Sequence, residues 1–101
     1  MNKLALTAEV IQIEDLRYTP AGIPLLSFVV RHVSEQVEAG MKRKVECEVT
    51  VKALGAITET AKHLKVGEQI TLTGFLAKRS AKSTQLVMHL SSFEAYTVLK
   101  K

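Results

Sequence analysis

Lysine and arginine side chains cluster at two places in the second half of the chain. The 42–44 cluster contains Lys42, Arg43 and Lys44, and the 78–82 cluster contains Lys78, Arg79 and Lys82. Residues 41–101 carry eleven basic and five acidic side chains, whereas residues 1–40 carry three basic and five acidic ones. We place both clusters in loops, from which grouped cations can reach phosphates. They predict a polyanionic partner, and a solvated surface without a ligand is the alternative.

Aromatic side chains could add base stacking, which contributes about 1–3 kcal/mol per base. The chain has three phenylalanines and two tyrosines. We expect Phe75 and Tyr18 to be available as platforms and Phe28 to lie in the core. Phe93 and Tyr96 fall near the end of the last predicted strand. Phe75 could instead be a packed residue of a barrel wall, and Tyr18 could cap the barrel mouth.

Residues that could perform catalysis or hold a metal are scattered. His32, His63 and His89 fall on separate elements without metal-ligand spacing. We predict that Cys47 is a buried, inert thiol within an apolar strand. With Asp15 as the only aspartate, a carboxylate cluster for phosphoryl transfer would need distant glutamates, and no glycine-rich phosphate loop is present. We expect neither an enzyme nor a bound cofactor or metal.

Length and composition predict one soluble globular domain over residues 1–101. The chain is 47% apolar and 24% charged, which is ordinary for such a domain. No apolar run reaches the 18 residues of a membrane helix, so we expect no membrane contact. The lone cysteine cannot form an intramolecular disulfide and favours a reducing, cytoplasmic compartment.

Hydrophobic periodicity predicts two strands in the first third of the chain. Residues 3–13 alternate, with a phase slip before Ile13 that is typical of a β-bulge. Residues 15–22 form a loop, and Pro24 opens a second strand that runs to residue 33. The polar stretch 34–42, which contains Gly40, is interpreted as a hairpin loop.

The remaining chain predicts a third strand, one helix and two further strands. Residues 44–53 alternate strictly between apolar and polar types, which indicates a half-buried strand. Residues 57–64 have helical spacing and end near Gly67. Residues 69–76 alternate again, and Gly74 in mid-strand indicates a bulge, a barrel corner or a close backbone approach. The last strand spans residues 85–96, with a short tail at 98–101.

This order of elements is that of an all-β, five-stranded OB-fold, a Greek-key barrel with one short helix between strands 3 and 4. An SH3-like barrel is the alternative, although it would not usually carry a full helix at that point. OB barrels bind oligonucleotides across strands 2 and 3, with the loops after strands 1 and 4 at the rim.

The sequence also resembles the primosomal replication protein N (PriB) family over nearly its whole length. The matching segments are Thr19-Pro20-Ala21-Gly22-Ile23-Pro24, Phe28-Val29-Val30, Glu38-Ala39-Gly40, the strand around Cys47, Val66-Gly67, Ile70-Thr71-Leu72-Thr73-Gly74-Phe75, and Met88-His89. The spacing is kept apart from a shorter loop after strand 4. The resemblance implies a homodimeric OB-fold that binds single-stranded DNA and assists the PriA helicase in replication restart.

The resemblance implies DNA contacts by Arg17 in the loop after strand 1, by Phe75 on strand 4, and by the 78–82 cluster. The chain departs from the family pattern where Met41 and Glu46 occupy positions that can be aromatic. Val33 occupies a position that can be basic, and Arg31 lies two residues away on the same strand face.

Several predictions about function remain open on the sequence. Glu46 and Glu48 on the outer face of strand 3 would repel phosphates, so we expect a sequence-blind and comparatively weak single-stranded DNA binder. A protein–protein adaptor and an RNA-binding OB module are the alternatives. A homodimer would pair through a strand edge, and strand 1, with small uncharged Ala5 and Thr7, is the candidate.

Overall fold

The computed structural model describes residues 1–95, which form six strands and one short helical segment. The elements are β1 (Leu4–Ile13), β2 (Arg17–Tyr18), β3 (Pro24–Glu38), β4 (Met41–Leu54), a 3-10 turn (Gly55–Ile57), α1 (Thr58–Ala61), β5 (Gln69–Lys78) and β6 (Leu86–Ala95). The predicted strands and their order are confirmed, and the loop after the first strand contains the additional two-residue β2. Tyr96 and the predicted tail lie outside the described residues.

A closed barrel results because β1 pairs with two neighbours. Residues 4–9 of β1 pair with β5, and residues 9–13 pair with β3. The remaining strands follow in the order β5-β6-β4-β3, with β2 on the edge of β3. The register of β1 against β3 shifts between Val10 and Gln12, which confirms the predicted bulge and lets one strand serve both sheet halves.

At Gly74 the backbones of β5 and β6 approach closely. The register between these strands shifts between Thr73 and Gly74. A Cβ atom on Gly74 would lie 1.9 Å from the carbonyl oxygen of His89, a distance that no side chain tolerates. The predicted bulge and close backbone approach are therefore both present at this glycine.

The core fills the barrel from the inward faces of all five long strands. Its fully buried members include Val10, Phe28, Val30, Val51, Ile70, Leu72 and Met88. The helical segment is shorter than predicted and closes one end of the barrel through Ala61 and Leu64, which are both buried. The predicted core position of Phe28 is confirmed. No helix among residues 1–95 is long and apolar enough to cross a membrane.

The predicted hairpin loop over residues 34–42 is wrong. β3 continues to Glu38, β4 begins at Met41, and the two strands stay in register along their whole length. Only Ala39 and Gly40 form the turn, both with positive φ (54° and 76°), as two-residue hairpins require. The strands therefore form a long hairpin that projects beyond the barrel.

The hairpin also explains why the predicted burial of Cys47 is wrong. Cys47 lies on the same face of β4 as the buried Val51, since they are four residues apart. The thiol is nevertheless exposed, because this part of β4 lies beyond the barrel and no other strand within residues 1–95 covers it. Val37, near the hairpin tip, is opposite Lys42 on the other face of the hairpin and is 73% exposed.

Candidate nucleic-acid interface

The two basic clusters lie at the same end of the barrel. β4 runs parallel to β6, so the beginning of β4 and the connection from β5 to β6 are at the same end. The 42–44 cluster lies on β4 and not in a loop as predicted. Lys78 is the last residue of β5, and Arg79 and Lys82 lie in the following loop. All six side chains belong to exposed residues.

The 42–44 cluster is divided between the two faces of β4. Lys42 and Lys44 lie on the outer face, because alternate residues of a strand point in opposite directions. Arg43 lies on the inner face and forms an ion pair with Glu38 across the hairpin. Lys42 and Lys44 are therefore the members of this cluster that face the same way as Arg31 on β3.

A groove of about 440 Å³ separates β4 from the β5–β6 hairpin. β4 and β6 pair only at Val51–Met88 and Lys52–His89, so the strands diverge toward the basic end. The groove is lined by Glu48, Val49, Thr50, Leu76, Arg79, Gln85, Leu86 and Val87. Its walls combine apolar side chains with the guanidinium group of Arg79 and the carboxylate of Glu48, so a base could contact the apolar part and a phosphate the guanidinium.

Arg79, which lines this groove, is held by Gln85, the residue immediately before β6. Its backbone N–H donates to the carbonyl oxygen of Gln85 at 2.9 Å. Its guanidinium Nη1 donates to Oε1 of the same glutamine at 3.2 Å. Neither acceptor carries a formal charge, so the positive charge of Arg79 is available to a ligand.

Acidic side chains reduce the positive potential on the outer face of the hairpin. A carboxylate oxygen of Glu48 lies 3.9 Å from Nη2 of Arg31, and both side chains are about half exposed. Glu46 is opposite Val33 in the register, so no cation is its direct cross-strand neighbour. An exposed ion pair of this length is weak, yet Glu48 still competes with any phosphate for Arg31.

Phe75 lies on the outer surface of β5 and is 42% exposed. Its ring is stacked on the imidazole of His89, with centroids 5.1 Å apart and an angle of 4° between the planes. Val87, which lines the groove, lies two residues before His89 and so on the same face of β6 as the stacked pair. In the sequence, His89 is part of the Met88-His89 segment of the family resemblance and lacks metal-ligand spacing. Its outward alternation in the last strand is visible there, but its pairing with Phe75 is not.

Arg17 and Tyr18 lie at the other end of the sheet. They form β2, which pairs with Leu25 and Pro24 at the beginning of β3. Leu25 is opposite Leu54, the last residue of β4. Both β2 residues are exposed, Tyr18 to 66%. The structure therefore brings the two basic clusters, Phe75 and Arg31 to neighbouring surfaces. Arg17 and Tyr18 are apart from them.

Within residues 1–95, no group of three or more histidine, cysteine, aspartate or glutamate side chains could hold a metal ion. Both ring nitrogens of His32 form hydrogen bonds within the protein. One contacts the carbonyl oxygen of Thr7 and the other the hydroxyl of Ser34, each at 2.8 Å.

Comparison with known proteins identifies the family. A family described as "Another single-strand binding protein family" matches residues 2–92. The replication restart protein PriB of Bordetella pertussis is 38% identical over 90 residues, which cover 89% of this chain and 84% of that protein. PriB of Nitrosomonas europaea is 34% identical over 89 residues, covering 88% and 82% respectively. The chain belongs to the PriB family.

Solved structures agree with this assignment. PriB from Ralstonia solanacearum superimposes with a TM-score of 0.85 at 31% identity, covering 96% of this chain and 99% of that one. A Plasmodium falciparum SSB in complex with single-stranded DNA has a TM-score of 0.76 at 15% identity, with 96% of each chain covered, and shows the shared fold alone. The predicted OB-fold is confirmed, and the SH3-like alternative is wrong.

Proposed function

We propose that this protein binds single-stranded DNA without sequence preference and stimulates the PriA helicase in replication restart. The observation that carries the proposal is the position of the two basic clusters, on either side of an open groove at one end of a PriB-family barrel. The helicase follows from the family resemblance. The protein would act as a non-enzymatic accessory in the cytoplasm.

Phosphate contacts would supply most of the affinity. Lys42, Lys44 and the 78–82 cluster offer five exposed cations around the groove, and the walls contain no ladder of base-reading amides. Affinity for single strands falls with salt by a slope of about −0.7 per neutralised phosphate. About four to six contacts would therefore give a slope of roughly −3 to −4 in log K against log salt.

A titration of a labelled thymidine oligonucleotide at several salt concentrations tests the proposal. We expect the slope given above for the wild-type protein, and a loss of most of the affinity when Lys78, Arg79 and Lys82 are all changed to Glu. Lys62→Glu is the control, since Lys62 lies beside Glu59 on α1 at the opposite end of the barrel. A flat salt dependence would reject the proposal.

A protein–protein adaptor is the second candidate function. Glu46 and Glu48 on the outer face of the hairpin, together with the 51% exposed Val33, favour it. A helicase unwinding assay with the triple charge-reversal variant separates the two functions. A DNA binder loses helicase stimulation together with DNA affinity, whereas an adaptor keeps it. An RNA oligonucleotide of the same length, titrated in parallel, tests the RNA-binding alternative.

A homodimer would form through the edge of β1. Residues 4–8 pair with β5 on one side, while β3 pairs with β1 only from Glu9 onward. The other edge of residues 4–8 is thus unpaired within the part of the chain that the structure describes, apart from the contact of His32 with the carbonyl oxygen of Thr7. An open edge of small residues can pair with the same edge of a second chain.

A further inference from the structure

The side-chain amide of Asn2 is paired with the backbone of β5. Its Nδ2 donates to the carbonyl oxygen of Leu76 at 2.7 Å, and its Oδ1 accepts from the backbone N–H of Leu76 at 2.9 Å. A carboxamide has both the donor and the acceptor of a peptide group, so Asn2 pairs with Leu76 as a residue of a neighbouring strand would. We name this two-bond contact the Asn2 clamp.

The Asn2 clamp lies where the ladder between β1 and β5 ends. The last pair of this ladder is Leu4 with Gly74, and the same register continued by two residues puts Asn2 opposite Leu76. Residues 75–78 of β5 pair with β6 on one side, but no strand in the described part of the chain pairs with them on the other. The clamp therefore satisfies two backbone groups of Leu76 that the ladder no longer reaches.

Residues 75–78 form the distal part of β5, which has less support from the core than the rest of the strand. The register against β6 shifts between Thr73 and Gly74, and a bulge disrupts the ladder locally and increases its twist. Leu72, before this point, is fully buried, whereas Leu76, beyond it, is 36% exposed. Packing therefore holds the distal part of β5 less firmly, and its orientation depends more on hydrogen bonds.

We propose that Asn2 is a positioning residue of the nucleic-acid interface, which holds the distal part of β5 in the orientation that DNA binds. The inference rests on the proposed function and deepens it. Leu76 lines the groove, and Lys78 and Arg79 follow it by two and three residues. The Asn2 clamp thus acts on one groove wall and on the first two cations of the 78–82 cluster, without contacting DNA itself.

The position of Asn2 separates this role from a general role in stability. Asn2 is an exposed residue, both of its bonds lie outside the core, and β1 keeps its ladder with β5 from Leu4 to Glu9 without them. Loss of the clamp should therefore leave the barrel folded and free only the distal part of β5. A binding surface that holds its bound orientation for part of the time has an affinity reduced by that fraction.

Asn2→Ala should weaken binding of a labelled thymidine oligomer about three- to ten-fold, because two hydrogen bonds no longer favour the bound orientation. The slope of log K against log salt should keep its wild-type value, since every phosphate contact can still form in the complex. Lys78→Gln, which removes a cation, should instead reduce this slope by about 0.7.

Two further variants complete the titration. Asn2→Gln keeps the amide on a longer side chain and should recover part of the affinity that Asn2→Ala loses. Gln69→Ala is the matched control and should bind as the wild-type protein does, because it removes an exposed amide at the opposite end of β5.

Hydrogen exchange of single backbone amides tests the clamp itself, beginning with the wild-type protein. The Leu76 N–H should be protected there and exchange about five-fold faster or more in Asn2→Ala, while the Ala77 N–H, which points to β6, is the reference. An unprotected Leu76 N–H in the wild-type protein would overturn the inference. Unchanged DNA affinity in Asn2→Ala that is folded by circular dichroism, or a reduced salt slope in that variant, would overturn it as well.

The same measurements separate failure of the inference from failure of the proposed function. If the wild-type protein binds no oligomer at any salt concentration, the proposed function is rejected and the positioning role of Asn2 with it. A protected Leu76 N–H would then establish the clamp as a structural contact alone. If the wild-type protein binds and Asn2→Ala binds equally well, only the positioning role is rejected.

Discussion

The carboxylate of Glu48 is close to one arginine and lines the same groove as another, and both arginines could contact phosphates. It is 3.9 Å from Arg31 and lines the same groove as Arg79. Two unit charges about 4 Å apart in water interact by about 1 kcal/mol, which corresponds to a factor of about five in affinity. The charge of Glu48 should therefore lower the affinity of the proposed nucleic-acid interface by about this factor.

Glu48→Gln should therefore increase affinity for single-stranded DNA about three- to five-fold at low salt. The amide keeps the size of the side chain but removes the negative charge that competes for Arg31. The gain should shrink at high salt, because screening weakens all exposed charge interactions. Fluorescence anisotropy with a labelled oligonucleotide measures it. Glu59→Gln on α1 is the matched control, and a loss of affinity in Glu48→Gln would contradict this role.

At the scale of secondary-structure elements, the hairpin turns one run of three cations into two opposed sets. Lys42→Gln and Lys44→Gln should each weaken DNA binding and reduce the salt slope by about 0.7. Arg43→Gln should leave both unchanged, because Arg43 faces away and is paired with Glu38. A salt titration of the three single variants measures this. Equal losses of DNA affinity in all three variants would contradict this division between two strand faces. They would show that residues 42–44 move as the loop that the sequence predicts.

Sequence periodicity predicted the elements wherever one strand face is buried. The alternation of Ile70 and Leu72 gave β5, and Gly74 marked its bulge, because a packed core enforces a period of two. The distal hairpin was missed because neither of its faces is buried, so Val37 and Cys47 lie outside the core despite their apolar character. His89 was missed as a partner of Phe75 because cross-strand register is a tertiary property that periodicity within one strand does not contain.

At the scale of the whole molecule, the free edge of β1 determines how two barrels would assemble. The carbonyl of Thr7 points away from β5, since it accepts a hydrogen bond from the His32 ring. Val10, by contrast, bonds Glu68 and Gly67 on the β5 side. Directions alternate along a strand, so the backbone N–H of Ala5 points to the free edge as well.

Ala5→Pro should therefore weaken the proposed homodimer and leave the barrel folded. Proline removes the N–H of the free edge, while the bonds to β5 come from the neighbouring residues. In a two-fold symmetric dimer the bond is lost twice, at about 0.5–1.5 kcal/mol each, so the dimer dissociation constant should rise by a factor of about 5 to 150. Sedimentation equilibrium measures this constant, with Ala5→Ser as the variant that keeps the N–H and thermal unfolding as the control for folding. An unchanged constant in Ala5→Pro would exclude this edge and direct the search to the outer edge of β3 beyond Arg31.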